Sequence, residues 1–356
     1  MINAPRILGY GTALPNESMS SAEFATIAAR LNACEPREAA VLHAVAARSG
    51  IDRRHSVLIR RNPVSNPVRL PIYEDAPSPP GTAARMAVYA QEAGALAALA
   101  ATRALAAAAL DGPAITHLVT ASCTGFFAPG LELQLLEKLS LPVGVERVHL
   151  GFMGCHAALN GCRVARGLAC GQPNARVLVV CVELCTLHYQ AGLERDALVP
   201  NMLFGDGAAA MVIGAEEGEG LRIVDTASQI VRESAAAMTW CITDTGFKMT
   251  LDASVPRLIA GHLRPIVEAF LERNQLGISE VKSWAIHPGG PKILEGALEA
   301  LGLPEGAGAC SRAVLRKHGN MSSPTIIFIL SELLQRGPVV ALAFGPGLSV
   351  ELVLFR

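Results

Sequence analysis

The sequence has little charge of either sign. Its 356 residues include 30 Lys and Arg against 31 Asp and Glu, so charged side chains make up 17% and the net charge is -1. A protein held to nucleic acid by a basic face, or a disordered acidic protein, shows an excess of one sign. The balance argues against both classes, and we expect no nucleic-acid partner.

Long, strongly apolar runs are also missing. The most apolar long run, Ala93 to Leu110, consists mostly of alanine and carries Arg103 in its middle. Because a membrane span needs about 20 strongly apolar residues, this run predicts a packed helix and no membrane span. After Met1, no charged segment leads into an apolar one, as it does in a secretory signal. We therefore expect a cytoplasmic protein.

Cysteine pairs of the CxxC type are absent. The chain has nine cysteines, and none of them forms such a pair. This spacing indicates neither a disulfide framework nor a structural zinc site. We expect reduced thiols that serve mostly as small core side chains, with one reactive exception.

Helices and strands alternate after a proline-rich segment, Arg60 to Gly81, which is expected to be a surface loop. Apolar patterning predicts helices over Thr82 to Leu110, Leu131 to Leu139, His156 to Ala169, Leu258 to Gln275 and Pro324 to Arg336. It predicts strands over Ile115 to Ser122, Val145 to Leu150, Arg176 to Leu184, Gly207 to Gly214, Val281 to His287 and Val339 to Phe344. This alternation predicts an α/β fold with helices on both sides of a sheet.

The order of these elements repeats once at a nearly constant separation. The repeat predicts two similar halves, 1–217 and 218–356, packed together. Cys123 and His287 then occupy equivalent strand ends, and Cys155 and Asn320 occupy equivalent helix starts. Because α/β proteins place sites at strand ends and helix starts, we expect a site where the halves meet.

Three residues at these positions could carry chemistry. Cys155 follows the turn GFMG and opens a helix, where free amides and the helix dipole should lower the pKa of its thiol. His287 precedes Pro-Gly-Gly, and Asn320 lies just before a helix start. Each alone is more often structural. Two cysteines further along the first of these helices, Cys162 and Cys170, are assigned to the core.

Taken together, these residues form a Cys/His/Asn set. A thiolate nucleophile needs a proton partner, and histidine is the usual one. A thioester carbonyl that becomes an oxyanion needs two donors, which an imidazole and a carboxamide supply. The same donors would stabilise the enolate left when a β-carboxyl thioester loses carbon dioxide, so this chemistry requires no metal.

Five segments resemble those of one enzyme family in the order in which they occur. They are GFMGCHAALNG, LFGDGAAA, IHPGGPKIL, HGNMSSPT and FGPGLSVE. Together they resemble the type III polyketide synthases, the chalcone and stilbene synthase family. Departures from the plant enzymes, such as Met249 and Trp240, resemble its bacterial branch. The resemblance covers nearly the whole chain.

The resemblance implies a thiolase-like αβαβα fold with two pseudo-repeated halves, a homodimer, and a triad of Cys155, His287 and Asn320. The implied reaction loads an acyl starter from coenzyme A onto Cys155. It then extends the starter by repeated decarboxylative condensation with malonyl-CoA and cyclises the chain to a pyrone, a resorcinol or a related aromatic polyketide. Acyl-CoA and malonyl-CoA are substrates, and no metal or other cofactor is implied.

The resemblance also assigns residues around the substrate. The expected cavity residues are Phe204 and Met249 at gatekeeper positions, together with Cys123, Cys185, His188, Trp240 and Ser322. Ala128 matches a side chain that reaches into the neighbouring subunit's cavity. Arg48, Arg53 and Arg54 are expected against the coenzyme A phosphates, which arginine binds well.

Two alternatives remain open at this stage. A β-ketoacyl-carrier-protein synthase III shares the triad and fold, but its histidine usually lies in HQAN and its asparagine in an NTS-type segment. A non-catalytic acyl-thioester-binding subunit of the same fold is the other alternative. HMG-CoA synthase would add a general-base glutamate, for which no motif is evident.

Overall fold

A computed structural model describes residues 4–61, 68–75, 78–333 and 337–356. Before residue 218 the chain forms, in order, β1 (Arg6–Ala13), β2 (Ser18–Ser20), α1 (Ser21–Leu31), α2 (Pro36–Arg48), β3 (Arg53–His55), β4 (Arg60–Arg61), β5 (Val68–Arg69), α3 (Pro71–Glu74), α4 (Thr82–Ala107), β6 (His117–Ser122), α5 (Leu131–Lys138), β7 (Glu146–Gly151), α6 (Ala157–Gly171), β8 (Arg176–Leu184), α7 (Arg195–Leu203) and β9 (Asp206–Gly214).

The remaining elements follow in the second part of the chain. They are β10 (Ile223–Ile230), β11 (Met238–Thr243), β12 (Gly246–Leu251), α8 (Val255–Glu272), β13 (Ser283–Ile286), α9 (Pro291–Leu301), α10 (Ala309–His318), α11 (Pro324–Glu332), β14 (Val339–Gly345) and β15 (Ser349–Phe355).

The two main sheets share one topology. The first has the order β1-β9-β8-β6-β7, and the second has the order β10-β15-β14-β13. In each, a parallel pair (β6 with β8, or β13 with β14) is continued on one side by two antiparallel strands. The first sheet has a further parallel strand, β7, at its other edge. The buried strands are rich in valine, leucine and alanine, as expected for strands covered on both faces. The predicted repeat is therefore a repeat of sheet topology.

Helices form three layers around these sheets. The alanine-rich α4 packs on the first sheet, where a Cβ atom at Gly9 would lie only 2.5 Å from the Ala104 carbonyl oxygen. Helices α6 and α11 lie between the sheets, where Ala158, Val179 and Ile327 belong to one buried cluster. Helices α8 and α9 contribute to the core on the second sheet. The result is the predicted thiolase-like αβαβα arrangement.

Several local predictions differ from the structure. The proline-rich segment contains β4, β5 and α3, and three of its prolines, Pro63, Pro67 and Pro77, lie outside the described residues. The helix predicted to reach Arg336 ends at Glu332, and residues 334–336 also lie outside the described part. The β11–β12 hairpin was not predicted, because its six-residue strands are only partly buried and carry weak apolar alternation.

A search of the described residues finds no helix that combines the length and apolar character needed to cross a membrane.

Candidate active site

The nucleophile candidate lies in a tight turn between β7 and α6. Cys155 occupies a single 3-10 turn, Gly154–His156, which leads directly into α6. Gly154 has φ +80°, and a Cβ atom there would collide with the ring of Pro346. Phe152 also has a positive φ, of 57°, which is uncommon for an aromatic residue. Such strain is typical of functional turns that the surrounding structure holds in place.

Asn320 is fixed by backbone and side-chain hydrogen bonds. Its backbone N–H donates to the Leu203 carbonyl at 2.8 Å, and its own carbonyl accepts the Gly205 N–H at 3.0 Å. Its side-chain Oδ1 accepts the Ser322 N–H at 2.7 Å, and its Nδ2 lies 3.4 Å from the Gly289 carbonyl oxygen. Since Oδ1 is used by the backbone, the amide N–H groups are the part of the side chain free to act as donors.

His287 follows β13 directly and is only 1% exposed. Its backbone N–H donates to the Leu342 carbonyl on β14 at 2.9 Å. Neither ring nitrogen has a hydrogen-bond partner among the residues that the structure describes. A buried imidazole without partners is costly, which makes His287 a strong candidate for chemistry. The contact between the Asn320 Nδ2 and the Gly289 carbonyl oxygen links Asn320 to the loop that follows His287.

Burial controls the charge of the thiol and the imidazole. It raises the pKa of Cys155 to about 11, although hydrogen bonding from Ser322 and Asn320 lowers it and the Glu183 carboxylate raises it further. Burial likewise lowers the pKa of His287 to about 3. The prediction that the helix start lowers the pKa of the thiol is therefore wrong, because desolvation outweighs the turn amides and the side-chain donors. At neutral pH, burial therefore favours the thiol form of Cys155 and the neutral form of the His287 imidazole.

A buried carboxylate beside the site was not predicted. Glu183 lies on β8 and is fully buried. Its Oε2 accepts the Cys123 N–H at 2.9 Å and the Thr124 hydroxyl at 2.8 Å, and its Oε1 accepts the Ser323 hydroxyl at 2.7 Å. Burial raises its pKa, and these donors oppose that effect. The available signal was an acidic residue inside the otherwise apolar strand RVLVVCVEL.

Cys155 lines a largely apolar cavity. All the cavity residues expected from sequence line it as well, namely Phe204, Met249, Cys123, Cys185, His188, Trp240 and Ser322. Further lining residues that the sequence did not indicate include Met19, Phe24, Leu70, Met238 and Phe247. Ala128 is exposed and lies outside this cavity. His287 and Asn320 are each 1% exposed and are not among the described lining residues.

One wall of the cavity is aromatic and firmly held. The His188 ring stacks on Phe247 with centroids 4.2 Å apart and an interplanar angle of 10°. Its Nε2 donates to the Thr124 carbonyl at 2.7 Å, and its Nδ1 accepts the Phe247 N–H at 3.0 Å. Burial lowers the pKa of His188 to about 3. This histidine is therefore a neutral ring in one tautomer and not a proton carrier.

The three arginines expected at coenzyme A phosphates lie in different environments. Arg48 is exposed and lines a second cavity together with Lys292 and the Gly289–Gly290 segment. Arg53 is exposed and donates to the Ser18 hydroxyl at 2.8 Å.

The prediction for Arg54 is wrong. This side chain is fully buried and donates to the Asn201 and Met202 carbonyls at 2.6 and 2.7 Å. Its guanidinium lies over the Phe24 ring, 4.5 Å from the centroid. Arg54 also lines the Cys155 cavity, but its two Nη groups bond internal carbonyls and hold the last turn of α7, so they are not available to a phosphate.

Within the described ranges, no group of three or more His, Cys, Asp and Glu side chains is arranged to hold a metal ion.

Comparisons with known families match both parts of the chain. Residues 3–217 match the model of the N-terminal domain of chalcone and stilbene synthases, and residues 222–356 match that of the C-terminal domain. The chain is 36% identical over 284 residues to the alpha-pyrone synthesis polyketide synthase-like Pks18 of Mycobacterium tuberculosis, covering 76% of this chain and 72% of that protein. It is 32% identical over 249 residues to a putative chalcone synthase of Bacillus subtilis, covering 66% and 68%.

Solved structures agree over the full length. PKS-I from the brown alga Ectocarpus siliculosus superposes with a TM-score of 0.91 at 30% identity, covering 100% of this chain and 99% of that one. The fungal type III polyketide synthase ORAS superposes with a TM-score of 0.88 at 28% identity, with 99% of each chain covered. The chain belongs to the chalcone and stilbene synthase family and is an acyltransferase-type enzyme, a type III polyketide synthase.

Proposed function

We propose that Cys155 receives the acyl group of an acyl-CoA starter, with His287 and Asn320 as its catalytic partners. His287 takes the thiol proton as the sulfur attacks the thioester carbonyl, and the carbonyl becomes an oxyanion. The His287 N–H and the Asn320 amide stabilise that oxyanion. His287 then gives this proton to the departing coenzyme A sulfur, so coenzyme A leaves as a thiol and the imidazole is neutral again. The observation that supports this most directly is a buried thiol whose pKa is lowered by hydrogen bonding from Asn320. The Asn320 Nδ2 also lies 3.4 Å from the Gly289 carbonyl oxygen, two residues after the unpartnered imidazole of His287.

The same donors support the condensation step. Malonyl-CoA loses carbon dioxide, and the electron pair of the broken C–C bond forms an enolate on the remaining acetyl thioester. A neutral imidazole, which the lowered pKa of His287 provides, can donate one N–H to this enolate oxygen. The enolate carbon then attacks the Cys155 thioester, and the sulfur leaves as the new carbon–carbon bond forms. Transfer of the extended chain back to Cys155 allows the next cycle.

We infer that the product is an α-pyrone, with a resorcinol or a related aromatic polyketide as the alternative outcome. The name of the mycobacterial relative connects that protein to alpha-pyrone synthesis. In pyrone formation, an enol oxygen of the chain attacks the thioester carbonyl and expels the thiol. This closure needs no residue beyond those already assigned. The mostly apolar lining of the cavity suits an acyl chain better than a polar substrate.

The second cavity is proposed as the coenzyme A site. Arg48 and Lys292 place two exposed cationic side chains beside it, next to the Gly289–Gly290 segment that follows His287. Phosphate groups are bound well by such side chains. The apolar gatekeeper Phe204 lies immediately after Leu203, which also lines this cavity. Phe204 would then separate the coenzyme A site from the thiol.

A homodimer is also proposed. Strand β7 forms an edge of the first sheet, and five of its six residues are exposed. Nearby, Phe126 is 51% and Met153 is 38% exposed. An unprotected sheet edge flanked by exposed apolar side chains is a typical interaction surface. A second copy on this surface would bring the exposed Ala128 loop towards the partner.

Product analysis with purified protein tests the proposed reaction. The protein is given malonyl-CoA alone and then with short, long and aromatic acyl-CoAs, and intact-protein mass follows acyl loading. Loading and a condensation product from coenzyme A esters support the proposal. Extension that requires a carrier-protein thioester would instead support a β-ketoacyl-carrier-protein synthase III. Binding without loading would support a non-catalytic subunit.

A further inference from the structure

The residue that follows the nucleophile makes a bridge between the two halves of the fold. His156 is 2% exposed, and its Nδ1 lies 2.6 Å from Oδ1 of Asn160, one turn further along α6. Its Nε2 lies 2.6 Å from the hydroxyl of Ser349 on β15. Both ring nitrogens are thus used, in contrast to those of His287.

The turn between β14 and β15 holds the nucleophile turn on both sides of Cys155. A Cβ atom at Gly345 would collide with the His156 ring, so the ring packs directly on the backbone there. On the other side, Pro346 packs against Gly154. The Ser349 hydroxyl also lies 3.0 Å from the Pro346 carbonyl oxygen, which connects the two contacts.

Strand β14 also fixes the position of His287. The Leu342 carbonyl accepts the His287 N–H at 2.9 Å, three residues before Gly345. A single strand therefore contacts His287 at one point and the His156 ring at its end. The placement of the thiol relative to the imidazole depends on this strand and on the bridge that His156 makes to it.

We propose that His156 is a positioning residue, which sets the Cys155 sulfur against its catalytic partners by joining α6 to the β14–β15 turn. This inference rests on the proposed role of Cys155 as the acyl acceptor. Burial lowers the pKa of His156, so the ring is neutral. With Asn160 Oδ1 as acceptor, Nδ1 carries a proton, and the single hydroxyl proton of Ser349 is shared between Nε2 and the Pro346 carbonyl oxygen.

The test separates acyl loading from decarboxylation. His156→Phe fills the space of the ring but makes neither hydrogen bond. We expect its rate of Cys155 loading from hexanoyl-CoA, followed by intact-protein mass, to fall by between about tenfold and about a hundredfold, as misplaced reactants do. The half-saturating hexanoyl-CoA concentration should stay within about twofold. Conversion of malonyl-CoA to acetyl-CoA, which does not use the sulfur, should also stay within about twofold.

Two further variants keep the result interpretable. Ser349→Ala removes one of the two hydrogen bonds of the His156 ring and should also lower the rate of Cys155 loading. It serves as the test if His156→Phe fails to fold. Arg166→Met is the matched control. Arg166 also joins α6 to the second half, through the Ile223 and Val224 carbonyls, but lies eleven residues beyond Cys155 in sequence. It should load at the wild-type rate.

Three outcomes would overturn the proposal: unchanged loading in the folded His156→Phe protein, an equal loss in Arg166→Met, or parallel losses of loading and decarboxylation. If the wild-type protein itself does not load, the proposed function fails instead, and the two failures are thereby distinguished.

Discussion

The indole nitrogen of Trp240 donates a hydrogen bond of 2.7 Å to the carbonyl oxygen of Cys123. This bond ties the β11–β12 hairpin to the end of β6, across the cavity that Cys155 lines. The Trp240 ring also contacts His188 edge-on, with centroids 5.5 Å apart. Because the ring is held at its polar end and along its side, it is a fixed boundary of the substrate space.

A smaller side chain in place of Trp240 should allow longer products. Trp240→Ala removes the ring, and we expect the product distribution to shift towards chains with more malonyl-derived units, as measured by mass. Ile242→Ala is the control, because Ile242 lies on the same strand and is 53% exposed. Unchanged chain lengths in the folded Trp240→Ala protein would show that other walls limit the chain.

The reactivity of Cys155 should depend on pH in a defined direction. Burial raises the pKa of its thiol to about 11, so the thiolate fraction is small at neutral pH and increases as the pH rises. We expect alkylation of Cys155 by iodoacetamide, mapped on its peptide, to rise continuously between about pH 7 and about pH 10. A rate that is already constant below pH 7 would instead reveal a stable thiolate–imidazolium pair.

Removing the amide of Asn320 should weaken enolate stabilisation. Asn320→Ala should cost about 2–4 kcal/mol, the range seen for single oxyanion donors, and the loss should appear in the rate of malonyl-CoA decarboxylation. Asn274→Ala is a suitable control, since Asn274 bonds Asp225 on the second sheet and has no contact with the site residues described above. Unaltered decarboxylation in the Asn320 variant would contradict its role.

Cys155→Ala should abolish loading and product and retain part of the malonyl-CoA decarboxylation. In the proposed mechanism the sulfur is the acyl acceptor, and this substitution leaves the donors for the enolate in place. Cys162→Ala controls for loss of a buried thiol, because Cys162 lies on α6 and is buried in the hydrophobic core. Normal product from the Cys155 variant would exclude its role as nucleophile.

The arginines should separate into binding and structural residues. Arg48→Ala combined with Lys292→Ala should raise KM for acyl-CoA by about tenfold at constant kcat, since two exposed charge contacts of about 0.7 kcal/mol each sum to about 1.4 kcal/mol. Arg54→Met should leave KM unchanged and instead shift the thermal midpoint, because Arg54 bonds only internal partners. The opposite pattern would reverse the two assignments.

Sequence patterning predicted an α/β fold with an internal repeat, and the family resemblance supplied the five-layer arrangement that the structure shows. Cys155 before α6 and Asn320 before α11 are helix starts in the central layer, and both were marked by glycine, serine and proline signals. The five family segments then identified the enzyme class, which the comparisons confirm.

What the sequence could not supply depends on burial and on distant contacts. The protonation state of the Cys155 thiol depends on its burial, which the local sequence pattern does not predict. Arg54 and Arg53 are neighbours on β3 that face opposite ways, so one is buried and the other exposed. The bonds of Glu183 join residues far apart in the chain, and only the fold brings them together.

The backbone bridge between Phe204 and Asn320 has a consequence for protein engineering. This bridge joins the proposed gatekeeper residue to the proposed oxyanion donor, so a backbone change at one would move the other. Libraries that aim to change starter choice can vary the side chain at position 204 freely. Proline at position 205 would remove the N–H that donates to the Asn320 carbonyl oxygen. Such a substitution would displace Asn320 along with any change in starter selectivity.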